Sequence, residues 1–143
     1  MKAIRVARVP PAVRPTTLVT EASPKLDIDS GCAVAIVDEG RLIGTLSKDD
    51  VIRRVVEAGL DPAATTVGEI MTTPPVTVTA DAETEDALKL MRASRQCFLP
   101  VVDDRGDLKA WLTICGLFDE EVDTLSEQIG TLANWIGADG PGG

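Results

Sequence analysis

The sequence contains no histidine and no tyrosine, and only 3% of its 143 residues are aromatic. Without histidine, the chain lacks the usual general base near neutral pH, the common partner of serine and cysteine nucleophiles, and the commonest zinc ligand. So few aromatic side chains cannot build the stacking platforms that bind single-stranded nucleic acid. The sequence therefore predicts a protein that is not an enzyme and holds no metal.

Positive charge and long apolar runs are also scarce. Lys and Arg number 14 against 23 Asp and Glu, which gives a net charge of −9 and opposes binding to nucleic acid or anionic membranes. No stretch has the length of a signal peptide or a membrane span, so we expect a cytoplasmic protein. Cys32, Cys97 and Cys115 form no CxxC pair, which predicts reduced, mostly buried thiols.

The chain carries an internal duplication. At an offset of 65 positions Cys32 meets Cys97, and after one inserted residue Gly40 meets Gly106 and Ser47 meets Thr113. Each copy is too small to bury a core alone, so the copies should pack together about a pseudo-two-fold axis. The predicted organisation is an N-terminal segment (1–12), a first motif (13–58), a linker (59–71), a second motif (72–118), a C-terminal helix (119–137) and a tail (138–143).

Each copy reads as strand, helix, hairpin and helix, which predicts an α/β (α+β) fold. In the second copy we expect a strand at 76–79, a helix capped by Asp81, and a hairpin of the strands at 98–102 and 108–113. The first copy has a hairpin at 33–47 and a helix ended by Gly59. Its leading helix contains Pro24 and should be short or begin at Ser23. A capping box at Thr66 predicts one helical turn before Met71.

The turn Gly44–Asp50 is the strongest candidate site. It runs from a strand end into a helix start, where backbone N–H groups suit an anion and a carboxylate suits the two hydroxyls of a ribose. The same residues also fit an ordinary helix cap, with Ser47 at the N-cap and Asp50 three positions later. The paired acids at 38–39, 49–50 and 103–104 are typical of solvated caps and turns.

Four stretches between about 13 and 118 together form a specific combination: GRLIGTLSKDDVIRR (40–54), the segment at 59–78, ETEDALKLM (83–91) and CFLPVVDDRGDLKAWLT (97–113). With them, the whole span resembles a tandem pair of CBS motifs, often called a Bateman module. The resemblance implies two pseudo-symmetric β-α-β-β-α motifs packed through their small sheets. It also implies that Gly44, Ser47 and Asp50 bind an adenosine-type ligand such as AMP, ATP or S-adenosylmethionine. Ile36 and Leu46 would then flank the base. Many family members carry basic phosphate-binding residues where this chain has Cys32 and Cys97; Lys48, Arg53, Arg54 and Arg95 would either substitute for them or be ordinary solvated surface charges.

The second copy departs from this signature, because the matching positions read Ala110, Thr113 and Gly116. We expect this second site to bind nothing and Thr113 to act only as a helix cap. Trp111 should be a core residue or fill the vacant cleft. The resemblance implies a regulatory module that signals to an unknown partner. The alternative is a ligand-independent dimerisation or interaction module. We also expect a homodimer, since one chain of this size should not fully cover apolar helix faces such as that of Ala87, Leu88 and Met91.

Overall fold

Each half of the chain builds a small sheet with helices against it. The structure is a computed structural model that describes residues 1–119. Its strands and helices, in chain order, are β1 (Ala12–Val13), α1 (Val19–Ala22), β2 (Ala33–Asp38), β3 (Arg41–Ser47), α2 (Lys48–Val51), α3 (Val67–Ile70), α4 (Thr84–Ser94), β4 (Phe98–Val102) and β5 (Leu108–Thr113). A π-helical turn, Ile52–Val56, extends α2, and residues 114–119 are helical. Short 3-10 turns cover Ala3–Val6, Ser23–Lys25 and Ile28–Ser30.

Two antiparallel hairpins form the centre of the fold, as the sequence predicts. The first pairs β2 with β3, and β1 adds a parallel strand to it; the second pairs β4 with β5. Both hairpin turns need a left-handed residue, which Gly40 (φ 82°) and Gly106 (φ 83°) supply. The tips also contact each other, because the Leu42 N–H donates to the Gly106 carbonyl and the Leu108 N–H to the Gly40 carbonyl.

Side chains alternate along these strands between two different cores. One face of β2 and β3 packs against the helices of the first repeat, and the matching face of β4 and β5 packs against those of the second. The opposite faces meet between the repeats in a shared core of Ala33, Ala35, Leu42, Phe98 and Trp111. This third core confirms that the two repeats pack through their sheets.

The segment that leads into each repeat packs on the other repeat. The turn Ala3–Val6 contributes Ala3 to the core of the second repeat, while α3 contributes Val67 and Ile70 to the core of the first. The backbone contacts match pairwise. The Val67 N–H donates to the Thr17 carbonyl as the Ala3 N–H donates to the Ala82 carbonyl. The repeats are therefore interlocked, and neither core is complete without chain from the other half.

An ion pair reinforces this exchange at the N-terminal end. The Lys2 ammonium lies 2.8 Å from the Glu83 carboxylate, and its hydrogen bond to that carboxylate holds the pKa of Glu83 below its usual range. Lys2 also forms a backbone bridge with Glu83, and its ammonium donates to the Asp81 carbonyl. The first residues are thereby fixed at the start of α4.

The start of the second repeat differs from the prediction. Only Val78 pairs with its neighbour, through hydrogen bonds with Pro100 and Val102, so residues 76–79 form a single bridge and no strand. The helix begins at Thr84 with Glu83 in the N-cap position. Asp81 does not cap it, because its carboxylate accepts a hydrogen bond from the Thr79 hydroxyl and stabilises the turn before the helix.

The leading helix of the first repeat is short, as predicted, but it lies before Ser23. It comprises only Val19–Ala22, and Pro24 falls within the 3-10 turn that follows it. Proline has no N–H to donate, so it is tolerated in the first turn of that new segment. The helical turn α3 forms before Met71 as predicted, and the Glu69 half of the capping box is present, since its carboxylate accepts from the Thr66 N–H at 3.0 Å. The Thr66 hydroxyl makes no capping bond, because the Glu69 N–H donates to the Thr66 carbonyl.

The exposed apolar residues are not the ones expected. Ala87 and Met91 are fully buried in their own chain, which corrects the argument that this face needs a partner. Ile52 and Val56 are instead 52% and 67% exposed. The predicted C-terminal helix at 119–137 and the tail at 138–143 lie almost entirely outside the described residues. Among the helices of residues 1–119, none is long and apolar enough to cross a membrane.

Candidate functional site

A cleft of about 470 Å³ opens between the two repeats at the start of α2. The first repeat contributes the ends of its hairpin strands and the first turn of α2. The second contributes the chain that joins α4 to β4. Thr72, the first residue after the predicted linker and counted with it from here on, also lines the cleft. The lining residues are Gly31, Cys32, Thr45, Ser47, Lys48, Asp49, Asp50, Arg53, Arg54, Thr72, Ser94, Arg95, Gln96, Cys97 and Phe98. Of the predicted site residues, Ser47, Lys48 and Asp50 are therefore brought together here.

Asp50 is a nearly buried carboxylate in this cleft, 8% exposed, with both oxygens engaged. One oxygen accepts the Ser47 N–H at 2.9 Å, and the other accepts the Thr72 hydroxyl at 2.9 Å. The Ser47 hydroxyl in turn accepts the Asp50 N–H at 3.2 Å, which completes a capping box. These bonds fix the carboxylate in one orientation. A carboxylate has about four acceptor positions, so two remain for other donors.

Thr72 belongs to the site although the sequence analysis missed it. The linker runs beside β3, where Thr72 and Thr45 exchange both backbone hydrogen bonds, at 2.8 and 3.1 Å. Gly44 makes this approach possible, because a Cβ there would lie 2.5 Å from the Met71 sulfur and 2.9 Å from the Thr72 carbonyl oxygen. Gly44 therefore supports the site through the linker and does not line the cleft.

Arg54 holds the same linker from the other side. Its guanidinium donates to the carbonyls of Ile70 at 2.9 Å and Met71 at 2.7 Å. Arg53 is paired with Asp49 at 3.2 Å. Within residues 1–119, Lys48, Arg54 and Arg95 are the cleft cations without an ion-pair partner, and the Arg54 guanidinium is already engaged by the two linker carbonyls. Lys48 and Arg95 are left. Two positive charges are thus available to an anion that enters the cleft.

Ile36 and Leu46 are not cleft residues, contrary to the role suggested for them. Both are fully buried in the core of the first repeat. Side chains alternate along a strand, so residues one position away face the other repeat. Thr45, next to Leu46, lies on the cleft side. The sequence identified the strands but not the face that each residue presents.

The second repeat has no equivalent binding arrangement at Ala110, Thr113 and Gly116. Thr113 caps the following helix, with its hydroxyl accepting the Gly116 N–H at 3.1 Å. Trp111 occupies the position that matches Thr45. Its indole is fully buried, stacks on Phe98 with ring centroids 5.1 Å apart, and donates to the Ser30 carbonyl at 2.8 Å. This large side chain fills space that Thr45 leaves open in the first repeat.

The cysteines are less buried than predicted. Cys97 and Cys115 are exposed and Cys32 is half-buried, and all three are free thiols. Their positions at a strand start or in the first turn of a helix, and not in strand interiors, explain the difference. Within residues 1–119, no three His, Cys, Asp or Glu side chains converge as a metal-binding group.

Comparison with known proteins identifies the family. The family model of the CBS domain matches the chain twice, at residues 2–57 and 67–122. The chain belongs to the CBS-domain family. Each match begins with the segment that packs on the other repeat. In this tandem CBS module, the residues of one sequence repeat are therefore not the same set as the residues that share one core. CBS-domain proteins are generally regulatory and non-catalytic.

Relatives and solved structures agree with this assignment. The CBS domain-containing protein CBSCBSPB1 of Arabidopsis thaliana is 35% identical over 99 residues, which are 68% of this chain and 18% of that protein. The chain spans less than a fifth of the length of the first curated relatives it matches. The crystal structure of the CBS domain NE2398 is 26% identical with a TM-score of 0.75, covering 85% of this chain and 98% of that one.

A further solved structure shares the fold and contains a nucleotide. The CBS domain protein PAE2072 from Pyrobaculum aerophilum, complexed with AMP, is 21% identical with a TM-score of 0.70. The match covers 81% of this chain and 89% of that one.

Proposed function

We propose that this tandem CBS module binds an adenosine-type nucleotide, of the AMP, ATP or S-adenosylmethionine class, in the cleft of its first repeat. The observation that carries the proposal is the Asp50 carboxylate, which is nearly buried and held between Ser47 and Thr72 in a cavity of about 470 Å³. A small-molecule site typically has a volume of roughly 300–1,000 Å³ with a few fixed polar groups. The AMP bound by a CBS protein of the same fold supports this ligand class.

Each part of such a ligand has a matching group in the cleft. The two free acceptor positions of Asp50 suit the adjacent hydroxyls of a ribose. Lys48 and Arg95 suit a phosphate or another negative group, because neither is paired among residues 1–119. The cleft offers binding groups without a free general base, which favours a regulatory function over catalysis. Since Trp111 fills the equivalent place in the second repeat, the expected stoichiometry is one ligand per chain.

Calorimetric titration tests the proposal. Protein stripped of nucleotide is titrated with AMP, ATP and S-adenosylmethionine, and at least one should bind at one site per chain. Asp50→Asn keeps the shape but removes the charge, so the affinity should fall by about 1.5–3 kcal/mol, roughly tenfold to a hundredfold.

Thr113→Ala is the matched control in the second repeat. Loss of the N-cap should lower the free energy of unfolding by about 1 kcal/mol and leave the affinity unchanged. Binding of two ligands per chain, or equal losses of affinity in both variants, would contradict the assignment to the first cleft. If none of the three compounds binds, the ligand-independent interaction module replaces this proposal.

The second candidate function, dimerisation, is favoured by the exposed apolar side of the helix after β3. Ile52 and Val56 lie one turn apart and are both more than half exposed. Monomeric proteins rarely leave neighbouring large aliphatic side chains in water, and a two-fold dimer is the commonest way to cover them. We propose that two copies of the chain form a homodimer through this surface. A change caused by ligand binding would then pass through the dimer to a regulated partner protein.

Sedimentation equilibrium at micromolar concentration checks this proposal. The wild-type chain should have twice the monomer mass of 15.1 kDa. The double variant Ile52→Asp/Val56→Asp should sediment as a monomer, because burying two carboxylates without partners opposes association. Val9→Asp is the control, since Val9 is 89% exposed elsewhere on the surface, and it should remain dimeric. A monomeric wild-type protein would refute the dimer.

A further inference from the structure

Two cysteines, one from each repeat, line the same cleft. Cys32 lies at the start of β2 and Cys97 at the start of β4, at matching positions of the duplication. Both line the cavity that contains Asp50, and both are free. The third cysteine, Cys115, lies beyond Thr113 and is not among the lining residues. The duplication thus brings together a pair that is 65 residues apart in sequence.

The backbones that carry this pair are in contact. A Cβ added at Gly31, the residue before Cys32, would lie 2.6 Å from the Cys97 carbonyl oxygen and 3.0 Å from the Cβ of Phe98. Cys32 therefore directly follows a residue that touches Cys97, so the two cysteine-bearing segments lie side by side at this edge of the cleft. A disulfide needs Cα atoms roughly 4.4–6.8 Å apart, which is the separation that the proposed bond requires of these two adjacent segments.

The hydrogen bonds of both cysteines hold the two segments in place. The Cys32 carbonyl accepts the Lys48 N–H at 3.0 Å, and the Cys97 carbonyl accepts the Ile114 N–H at 2.8 Å. Cys32 also has a left-handed backbone, with φ at 61°, which residues other than glycine rarely adopt. Cys32 is thus fixed to the start of α2, which borders the cleft, and Cys97 to the start of the helix after β5, while both thiols are free.

We propose that Cys32 and Cys97 form a reversible disulfide that closes the cleft to nucleotide. The oxidant is a small-molecule disulfide. The Cys97 thiolate attacks one of its sulfurs, which forms a mixed disulfide and releases one thiol. The Cys32 thiolate then attacks the Cys97 sulfur and releases the second thiol. The protein loses two hydrogen atoms, and the small disulfide is reduced to two thiols. The closure of the cleft rests on the proposed nucleotide function; the disulfide itself does not.

Mass spectrometry tests the disulfide independently of any ligand. The Cys115→Ala protein is incubated with oxidised glutathione, and its intact mass should decrease by two hydrogen atoms with no glutathione retained. Peptide mapping without reduction should find Cys32 joined to Cys97. Cys32→Ser and Cys97→Ser, each combined with Cys115→Ala, are the matched controls and should each retain one glutathione. Two retained glutathiones, or an unmodified mass, in the protein with both thiols would overturn the disulfide.

Calorimetry with AMP then tests the closure. The oxidised Cys115→Ala protein should bind AMP at least about tenfold more weakly than the reduced protein, and dithiothreitol should restore binding. Equal affinity in both states would overturn the closure and leave the disulfide standing. If the reduced protein does not bind AMP, the closure fails together with the proposed ligand, while the mass measurement still decides whether the disulfide forms.

Discussion

Trp111 and Thr45 occupy equivalent places in the two repeats, and this single difference in size makes the two halves unequal. Thr45 lines an open cleft, whereas the indole of Trp111 is fully buried and bonded to Ser30 from the other repeat. The same indole stacks on Phe98 in the core between the sheets. One side chain therefore joins the two repeats, and it occupies in the second repeat the position at which the first repeat has a small cleft residue.

Replacement of this indole should be costly. Trp111→Thr leaves a cavity and removes the bond to Ser30, so the free energy of unfolding should fall by about 3–5 kcal/mol. Urea denaturation measures the loss. Phe118→Ala is the control, because Phe118 is an aromatic side chain that is 52% exposed, and its truncation should cost far less. Equal losses would mean that Trp111 does not support the core between the repeats.

The site residues fall into those that a local pattern reveals and those that only the fold brings in. Ser47 and Asp50 are three positions apart at a helix start, and this spacing predicts their mutual hydrogen bonds. Thr72 reaches the cleft from a distant part of the chain, and no local spacing marks it, so it could not be predicted without the packing of the repeats. Arg95 is one of the four cations that the sequence offers for a phosphate, and only the fold shows that it lies in the cleft without an ion-pair partner among residues 1–119.

At the scale of elements, the linker functions as an additional strand partner of β3. Residues 71 and 72 are held by the backbone bonds to Thr45 and by the Arg54 guanidinium, and the Thr72 hydroxyl reaches Asp50. A displacement of the linker would therefore move a hydrogen-bond donor of the binding carboxylate. The linker connects the proposed ligand site to the helix that bears Ile52 and Val56.

Gly44→Ala tests this dependence. The new Cβ would meet the Met71 sulfur and the Thr72 carbonyl, and forcing them apart should cost about 1–3 kcal/mol of unfolding free energy. Nucleotide affinity should fall as well, because Thr72 would no longer hold Asp50. In Gly116→Ala the nearest atom would be the Thr113 hydroxyl oxygen at 3.3 Å, a milder contact that the higher helix propensity of alanine partly offsets, so this control should lose much less stability than Gly44→Ala. Unchanged stability in Gly44→Ala would refute the tight contact.

The two hairpins were predictable because each is specified locally: two apolar strands and the glycine turn between them lie within about fifteen consecutive residues. The strand expected at 76–79 was wrong. Its residues alternate as in a strand, but only Val78 forms backbone hydrogen bonds with the neighbouring strand β4. The cap expected at Asp81 was wrong for a similar reason. The Thr79 hydroxyl donates to the Asp81 carboxylate, and the helix begins three residues later, at Thr84. Local propensity yields to contacts made elsewhere in the molecule.

At the scale of the whole molecule, the segment that leads into each repeat packs in the core of the other repeat, so a substitution in either segment should destabilise the opposite repeat. Ala3→Asp places a charge in the core of the second repeat, and Val67→Asp places one in the core of the first. Each should weaken the repeat that it enters by at least about 3 kcal/mol, because a buried charge without a partner is strongly destabilising.

Amide hydrogen exchange locates the effect. In Ala3→Asp the β4–β5 hairpin should lose protection first, and in Val67→Asp the β2–β3 hairpin should do so. Arg5→Asp, at an outer position of the same N-terminal turn, is the control for added acidity. If each variant weakened the half of the sequence that contains it, the interlocked arrangement would be wrong.

The interlocking also bears on what a break in the chain would do. A cut in the exposed stretch at 57–62 would leave each fragment holding a piece of the other's core, so the two should remain associated as a complementing pair. A single ancestral copy could satisfy the same contacts only by pairing with a second copy of itself. The covalent tandem thus behaves as a fused two-fold assembly, in which tethering supplies a high effective concentration and leaves each half free to diverge.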